Sequence, residues 1–307
     1  MNLSDEKLVV SLRDRLSNEA HKKGQNFEEL LYHYAIRGFL DRLAHSPYRD
    51  RFVLKGGQVF AAWGVALCRP TRDIDLRGYL DNSVESMVQV MKEICHQPVE
   101  PPDGLVFASD QVTGEEIRDD ADNQGIRILF RGYLGKSPIR MQIDIGFSDE
   151  ITPETVWVNY PSVLGFPSPR LHGYPPETVI AEKLQAIVYL GEVNSRMKDF
   201  YDIWLLSRRF DFEGETLQKA ITVTFQKRKT PIPSEIPMAL RDEFAIQKQS
   251  MWVTGFLSKF MPEPGELHNF QQVVGQLRRF IMPLLKAIKA KEVFKKSWKA
   301  GSPWSKR

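Results

Sequence analysis

Apolar positions recur at helical spacing over residues 5–45: Leu8, Leu12 and Leu16, then, past Gly24, Phe27, Leu30, Leu31, Tyr34 and Leu43. After Pro47 a short strand, Phe52-Val53-Leu54, runs into Gly56-Gly57. Gln58 to Leu67 reads as a buried helix stopped by Pro70, Asp73 to Tyr79 as a strand, and Val84 to Cys95 as an amphipathic helix. Val106-Phe107-Ala108 is a further candidate strand. Ile126 to Tyr133 and Ile139 to Phe147 form a hairpin around Gly135-Lys136-Ser137-Pro138. The stretch from Pro153 to Pro176 is rich in proline and marks a domain boundary. Beyond it the pattern is helical over 177–190, 196–209, 213–227, 239–260 and 266–297, with a proline-broken connector at 231–237. The expectation is an α+β chain: a mixed α/β core with N-terminal helices over 1–170, then an all-helical domain over 171–307.

Composition narrows the class. The chain has 307 residues, 42% hydrophobic and 26% charged, which excludes wholesale disorder. The longest apolar run, Val59 to Cys68, is interrupted by Gly64 and is too short to span a bilayer, and the polar start lacks the apolar region of a signal peptide. Two cysteines, Cys68 and Cys95, exclude a disulfide framework or a cysteine-rich zinc site, and the six histidines show no H-E-x-x-H spacing. A soluble cytoplasmic protein is expected. The net charge of +3 is uneven: residues 286–307 hold eight Lys/Arg against one acid, Glu292. That basic segment, with Trp298 and Trp304, fits a polyphosphate partner such as RNA, or else a solvated helix end and frayed tail.

Carboxylates carry the candidate chemistry. On a strand over Thr71-Arg72-Asp73-Ile74-Asp75-Leu76, Asp73 and Asp75 share one face while Ile74 and Leu76 take the other. Their mutual repulsion is relieved by a divalent cation, and hard oxygen ligands select Mg²⁺ or Mn²⁺. In the strand 139–147, Asp144 shares a polar face with Arg140 and Gln142, opposite Ile139, Met141, Ile143, Ile145 and Phe147. If the two strands are neighbours, three carboxylates converge, a set able to hold two metals; otherwise they lie on a solvated strand face. Gly56-Gly57, between strand and helix, lets backbone approach a phosphate. It is neither a Walker A loop nor a dinucleotide fingerprint. Thr71 is placed to hydrogen-bond a phosphate or to support the loop, and modification there would block nucleotide entry.

In helix 177–190, Lys183 falls within the stripe of Val179, Ile180, Leu184, Ile187 and Leu190. An inward lysine needs an anionic partner, and a nucleoside triphosphate is one, unless the chain snorkels at the stripe's edge. Asp199 and Asp202 share a helical face with Ile203 and Leu206, which marks either a site or a salt-bridge lock.

Taken together, Leu54-Lys55-Gly56-Gly57, Arg69-Pro70-Thr71-Arg72-Asp73-Ile74-Asp75-Leu76, Gln142-Ile143-Asp144-Ile145, Ala181-Glu182-Lys183-Leu184 and Lys198-Asp199-Phe200-Tyr201-Asp202 resemble the AbiEii/MenT group of nucleotidyltransferase toxins, within the DNA polymerase β-like nucleotidyltransferase superfamily. The superfamily usually has Gly-Ser in its first motif, where here Gln58 follows Gly-Gly. The resemblance implies a polymerase-β-like core with a mixed sheet, Mg²⁺ on Asp73 and Asp75 with Asp144 as third carboxylate, and triphosphate on Lys183. Asp199 or Asp202 would complete the site. It further implies transfer of a nucleoside monophosphate from an NTP to an acceptor, in several members the 3′ end of tRNA, and a separately encoded antitoxin in an AbiE-like phage-defence system. The alternatives are nucleotidylation of a small molecule or a protein, a non-catalytic nucleic-acid-binding module and, less favoured by Lys183 and the glycine turn, a nuclease.

Overall fold

The computed structural model describes residues 3–65, 71–120, 123–261 and 265–306. The chain divides into two compact units, Met1–Ser148 with Val156–Gly173, and Asp149–Thr155 with Tyr174–Arg307.

The first unit begins with helices α1 (Leu3–Lys23) and α2 (Phe27–His45). Gly24, at φ +60°, breaks them apart, and the Asn26 side chain caps α2 by accepting from the Glu28 amide at 2.7 Å. Then come β1 (Phe52–Lys55), α3 (Gly56–Ala62), β2 (Ile74–Gly78), α4 (Val84–Cys95), β3 (Leu105–Phe107), β4 (Thr113–Asp120), β5 (Asn123–Leu134), β6 (Ser137–Gly146), β7 (Val156–Asn159) and β8 (Arg170–Gly173). The strands form one sheet in the order β3-β5-β6-β2-β1-β8-β7, with β4 also paired to β5. The sheet is mixed, as expected: β2 runs parallel to β6 and β1 to β8, while the other pairs are antiparallel.

Alternation on these strands builds the core. Ile139, Met141, Ile143 and Ile145 of β6, Ile126, Ile128 and Phe130 of β5, and Ile74 and Leu76 of β2 are buried. Phe39 of α2 meets Phe130 at 5.5 Å and Phe107 at 5.9 Å. Arg42 lies in the same interior with both guanidinium arms on Asp103, at 2.8 and 3.0 Å.

Three details depart from the sequence reading. β4 was not expected, because Thr113-Gly114-Glu115-Glu116-Ile117 carries one large apolar residue and is recruited by pairing with β5. The proline-rich stretch is no plain linker: β7 and β8 lie within it and bury Val158 and Leu171. Helix α3 is shorter than expected, ending at Ala62; Leu67, Cys68, Arg69 and Pro70 lie outside the described residues.

The second unit is mainly helical: α5 (Pro176–Leu190), α6 (Met197–Arg209), α7 (Gly214–Lys227), α8 (Asp242–Ser250), a π-helical segment over Met251–Leu257 leading into α9 (Ser258–Phe260), and α10 (Phe270–Ala290). Trp252 stacks on Phe270 at 4.6 Å in its core. The all-helical expectation needs correction. Three short strands, β9 (Phe212–Glu213), β10 (Lys296–Trp298) and β11 (Ser305–Lys306), form an antiparallel sheet in the order β11-β10-β9. Helix α10 stops at Ala290, where Lys291 turns left-handed at φ +58°.

The basic segment therefore folds back instead of fraying. Trp298 is buried and its Nε1 donates to the Ser207 carbonyl at 2.6 Å. The Trp304 Nε1 donates to the Phe280 carbonyl at 2.8 Å, and both indoles pack on the Phe280 ring. These indoles are not free to stack on bases, whereas Lys286, Lys289, Lys291, Lys295, Lys296, Lys299 and Lys306 are exposed, with Lys299 on Asp211 at 2.6 Å. Among the described residues no helix is long and apolar enough to cross a membrane.

Replacing Trp298 by Ala removes a buried indole and its hydrogen bond, and is expected to lower stability by about 3–5 kcal/mol in urea unfolding. A variant as stable as the parent would show that the tail is not part of the fold.

Candidate functional site

The acidic face in the first unit is set by strand register. The parallel pairing of β2 with β6 matches Ile74 with Ile143, Asp75 with Asp144 and Leu76 with Ile145. Register partners share a face, about 4.8 Å apart. Burial of the isoleucines and Leu76 on one side thus holds Asp75 and Asp144 side by side on the other, both half-exposed. Asp73, one residue before β2, is exposed. On the outer side of β2, Lys55 is the register partner of Asp75; on the outer side of β6, Arg127 is the partner of Asp144. Four neighbouring strands therefore present Lys55, Asp75, Asp144 and Arg127 in one row, with cations flanking the two acids.

The outer cation on β5 makes close contact. Arg127 Nε donates to Asp144 Oδ1 and Nη2 to Oδ2, each at 2.9 Å, a two-armed fork. The hydrogen bond to Asp144 holds the guanidinium still more firmly protonated than usual. Gln142 Nε2 lies farther off, at 3.3 and 3.4 Å from the same carboxylate. No motif in the sequence marks Arg127 or Lys55 for a role. The available signal was the strand alternation that places Arg127 and Arg131 on one face of β5.

The glycine turn is shaped by these acids. Gly56 adopts φ +63°, and a Cβ there would fall 1.9 Å from Asp75 Oδ2. A Cβ on Gly57 would fall 2.4 Å from Thr71 Cγ2 and 2.6 Å from its Oγ1. Both glycines are required for the loops to close on one another. The Thr71 hydroxyl oxygen is buried against this turn without a hydrogen-bond partner among the described residues, so modification there would first have to open the turn.

Gln58, which follows the glycine pair, is turned inward and buried. Its Nε2 donates to the carbonyls of Thr71 at 2.9 Å and Asp73 at 3.2 Å, and its Oε1 accepts from the Tyr160 hydroxyl at 2.8 Å. This side chain anchors the loop ahead of β2.

The second unit brings together Lys183, Asp199 and Asp202. Lys183 Nζ lies 2.8 Å from Asp199 Oδ1 and 2.8 Å from Asp202 Oδ2, and Arg196 Nε lies 2.8 Å from Asp199 Oδ2. Both aspartates are fully buried, and the lysine side chain is 15% exposed. The three-residue spacing on α6 puts the two carboxylates on the face that meets α5. The anionic partner that the inward lysine requires is thus supplied within its own unit. Burial pushes the Asp199 carboxyl upward, but Lys183 and Arg196 outweigh it and leave Asp199 below the ordinary carboxylate range. Burial pulls Lys183 down, and the two carboxylates outweigh it and raise it above an ordinary lysine.

Comparison with known proteins gives a family. The profile of a family described as "Nucleotidyl transferase AbiEii toxin, Type IV TA system" matches residues 38–276. No curated protein matches the chain. Two solved Helicobacter pylori structures are similar at 14% identity each. JHP933 covers 87% of this chain and 97% of its own with a TM-score of 0.46. A candidate nucleotidyltransferase covers 87% of this chain and 99% of its own with a TM-score of 0.48.

The buried triad makes a pH-dependent prediction. The lowered Asp199 contributes stability that is present above its unfolded value, about 3.9, and is lost as pH falls through its folded value. The raised Lys183 contributes stability that is present below about 10.4 and is lost as pH rises through its folded value. Lys183→Met leaves two buried carboxylates without their ammonium and is expected to cost about 3–5 kcal/mol at neutral pH. Protonation relieves the buried Asp199 carboxylate, so the gap to the parent should narrow between about pH 7 and 4. A gap that stays constant with pH in urea titrations would contradict the ion-pair account.

Proposed function

The chain belongs to the AbiEii family of nucleotidyl transferase toxins of type IV toxin–antitoxin systems, and on that premise we propose that its acidic row serves transfer of a nucleoside monophosphate from an NTP to the 3′ end of tRNA. The observation that supports this most is the register pairing of Asp75 with Asp144 beside a glycine turn that closes on Asp75. Membership also implies an antitoxin partner, and we extend it to a role in phage defence.

The donor set suits Mg²⁺ or Mn²⁺: Asp73 and Asp75 offer hard carboxylate oxygens, and Gly56 leaves Asp75 the room that a side chain would fill. Asp144 adjoins as the third carboxylate; its oxygens accept from Arg127 at 2.9 Å and from Gln142 at 3.3 and 3.4 Å. Among the described residues no group of three His, Cys, Asp or Glu forms a ready-made metal site. When bound, the ion would offset phosphate charge.

In this scheme the acceptor hydroxyl oxygen forms a bond to the α-phosphorus, the bond to the pyrophosphate oxygen breaks, and pyrophosphate departs. In this reading Asp144 assists removal of the hydroxyl proton. The Gly56-Gly57 backbone and Thr71 border the nucleotide. The family resemblance would give Lys183 to the triphosphate; two of its three N–H donors already face Asp199 and Asp202 within its own unit. Asp199 and Asp202 both act through that lysine, as positioning residues.

With an α-phosphate-labelled NTP, Mg²⁺ and total RNA, the parent should label tRNA, and Asp75→Asn should lower the rate by about 10²–10³-fold. Undiminished labelling by Asp75→Asn would remove the row from the chemistry. Label found only on protein or on a small molecule would replace the acceptor.

A further inference from the structure

The β5–β6 ladder carries more than the acid row. Its open face runs away from Asp144 through the register pairs Arg127–Asp144, Leu129–Gln142 and Arg131–Arg140. The opposite face, Ile128 with Ile143 and Phe130 with Met141, is buried. Arg131 and Arg140 are both exposed. At about 3.4 Å per residue, Arg140 stands about 14 Å along the strand from Asp144.

Two observations on this lane point to an anionic ligand. Arg131 and Arg140 are directly opposed across the ladder, an arrangement of like charges that destabilises a sheet on its own. A bound anion would reverse the sign of that interaction. Independently, Arg127 uses Nε and Nη2 on Asp144, which fixes the plane of its guanidinium and leaves donors on Nη1 for another acceptor. Arg72 adds a fourth cation: its guanidinium lies 5.5 Å over the ring of Tyr32, whose hydroxyl donates to the Arg140 carbonyl. An acid also lies beside the lane: Glu115, the register partner of Arg127 on β4.

The side of the row matters too. The glycine turn lies on the β1 side of Asp75, and the arginine lane lies beyond Asp144 on the other side. A nucleotide bordered by the turn leaves the lane to the acceptor. A small hydroxyl compound at the carboxylates does not extend about 14 Å to Arg131 and Arg140, whereas a phosphodiester chain does.

We propose that the open face of β5–β6 is the acceptor-strand site, in which Arg131 and Arg140 hold phosphates of an RNA whose 3′ end reaches the acid row, and Arg127, oriented by Asp144, holds the phosphate nearest that end. This rests on the nucleotidyltransferase reading above and assigns its acceptor side.

The test uses the full chain and deacylated total tRNA. The double variant Arg131→Gln/Arg140→Gln should weaken RNA binding about tenfold by fluorescence anisotropy, and the slope of log affinity against log salt should fall by about one to two. NTP affinity by calorimetry should be unchanged. The unfolding midpoint should stay level or rise, because the like-charge pair is removed. An unchanged RNA affinity and salt slope would overturn the proposal, as would a loss of NTP affinity or undiminished labelling of a protein acceptor by the variant. Asp75→Asn separates this from the parent reading. It should bind RNA normally and transfer about 10²–10³-fold more slowly; if it transfers at the parent's rate, the acidic row is dismissed, and the RNA affinity of the double variant still decides for or against the arginine lane.

Discussion

The parallel register of β2 on β6 is the constraint on which the site depends. A slip of one residue would turn Asp75 into the core and expose Leu76. The slip is opposed by the buried faces of both strands, Ile74 and Leu76 against Ile143 and Ile145. It is opposed again at the head of β2, where Gln58 ties down the Thr71 and Asp73 carbonyls and is itself tied by Tyr160. The acidic face is therefore a by-product of core burial: apolar side chains choose the register, and the carboxylates have no other place to go.

The two units handle acid–base pairing differently. Asp144 and Arg127 meet on a half-exposed sheet face, where water screens the pair and another ligand can still approach. Lys183, Asp199 and Asp202 meet in an interior, where loss of the ammonium deprives both carboxylates of their shared cation. The first arrangement suits groups that exchange partners with a substrate. The second suits a group whose position must not vary.

Much of this was legible from the chain alone. The periods of α1, α2 and α4 were strong, and the alternation of β2 and β6 placed Asp73, Asp75 and Asp144 on polar faces. Arg127 was hidden by turn width. A four-residue turn over 135–138 would set Arg127 opposite Gly146, whereas the actual turn is Gly135-Lys136, with Leu134 paired to Ser137, and sets Arg127 opposite Asp144. The partners of Lys183 were visible as residues but not as contacts, because helix spacing says which face a carboxylate takes and not which helix it meets. The indoles of the tail were misleading for a related reason: composition shows aromatic rings beside lysines, and only packing shows that Phe280 has already claimed the rings.

The path of the chain between its units has an evolutionary consequence. Residues 149–155 are anchored in the second unit, where Asp149 accepts from Arg228 at 3.0 Å and the Thr152 carbonyl accepts from the Thr178 hydroxyl at 2.8 Å, before the chain returns to lay down β7 and β8. A crossover between homologous genes at residue 173 would marry one parent's Asp149 and Thr152 to the other parent's Arg228 and Thr178. The halves are not interchangeable modules, and lineages of this fold are expected to inherit them as a single linked block.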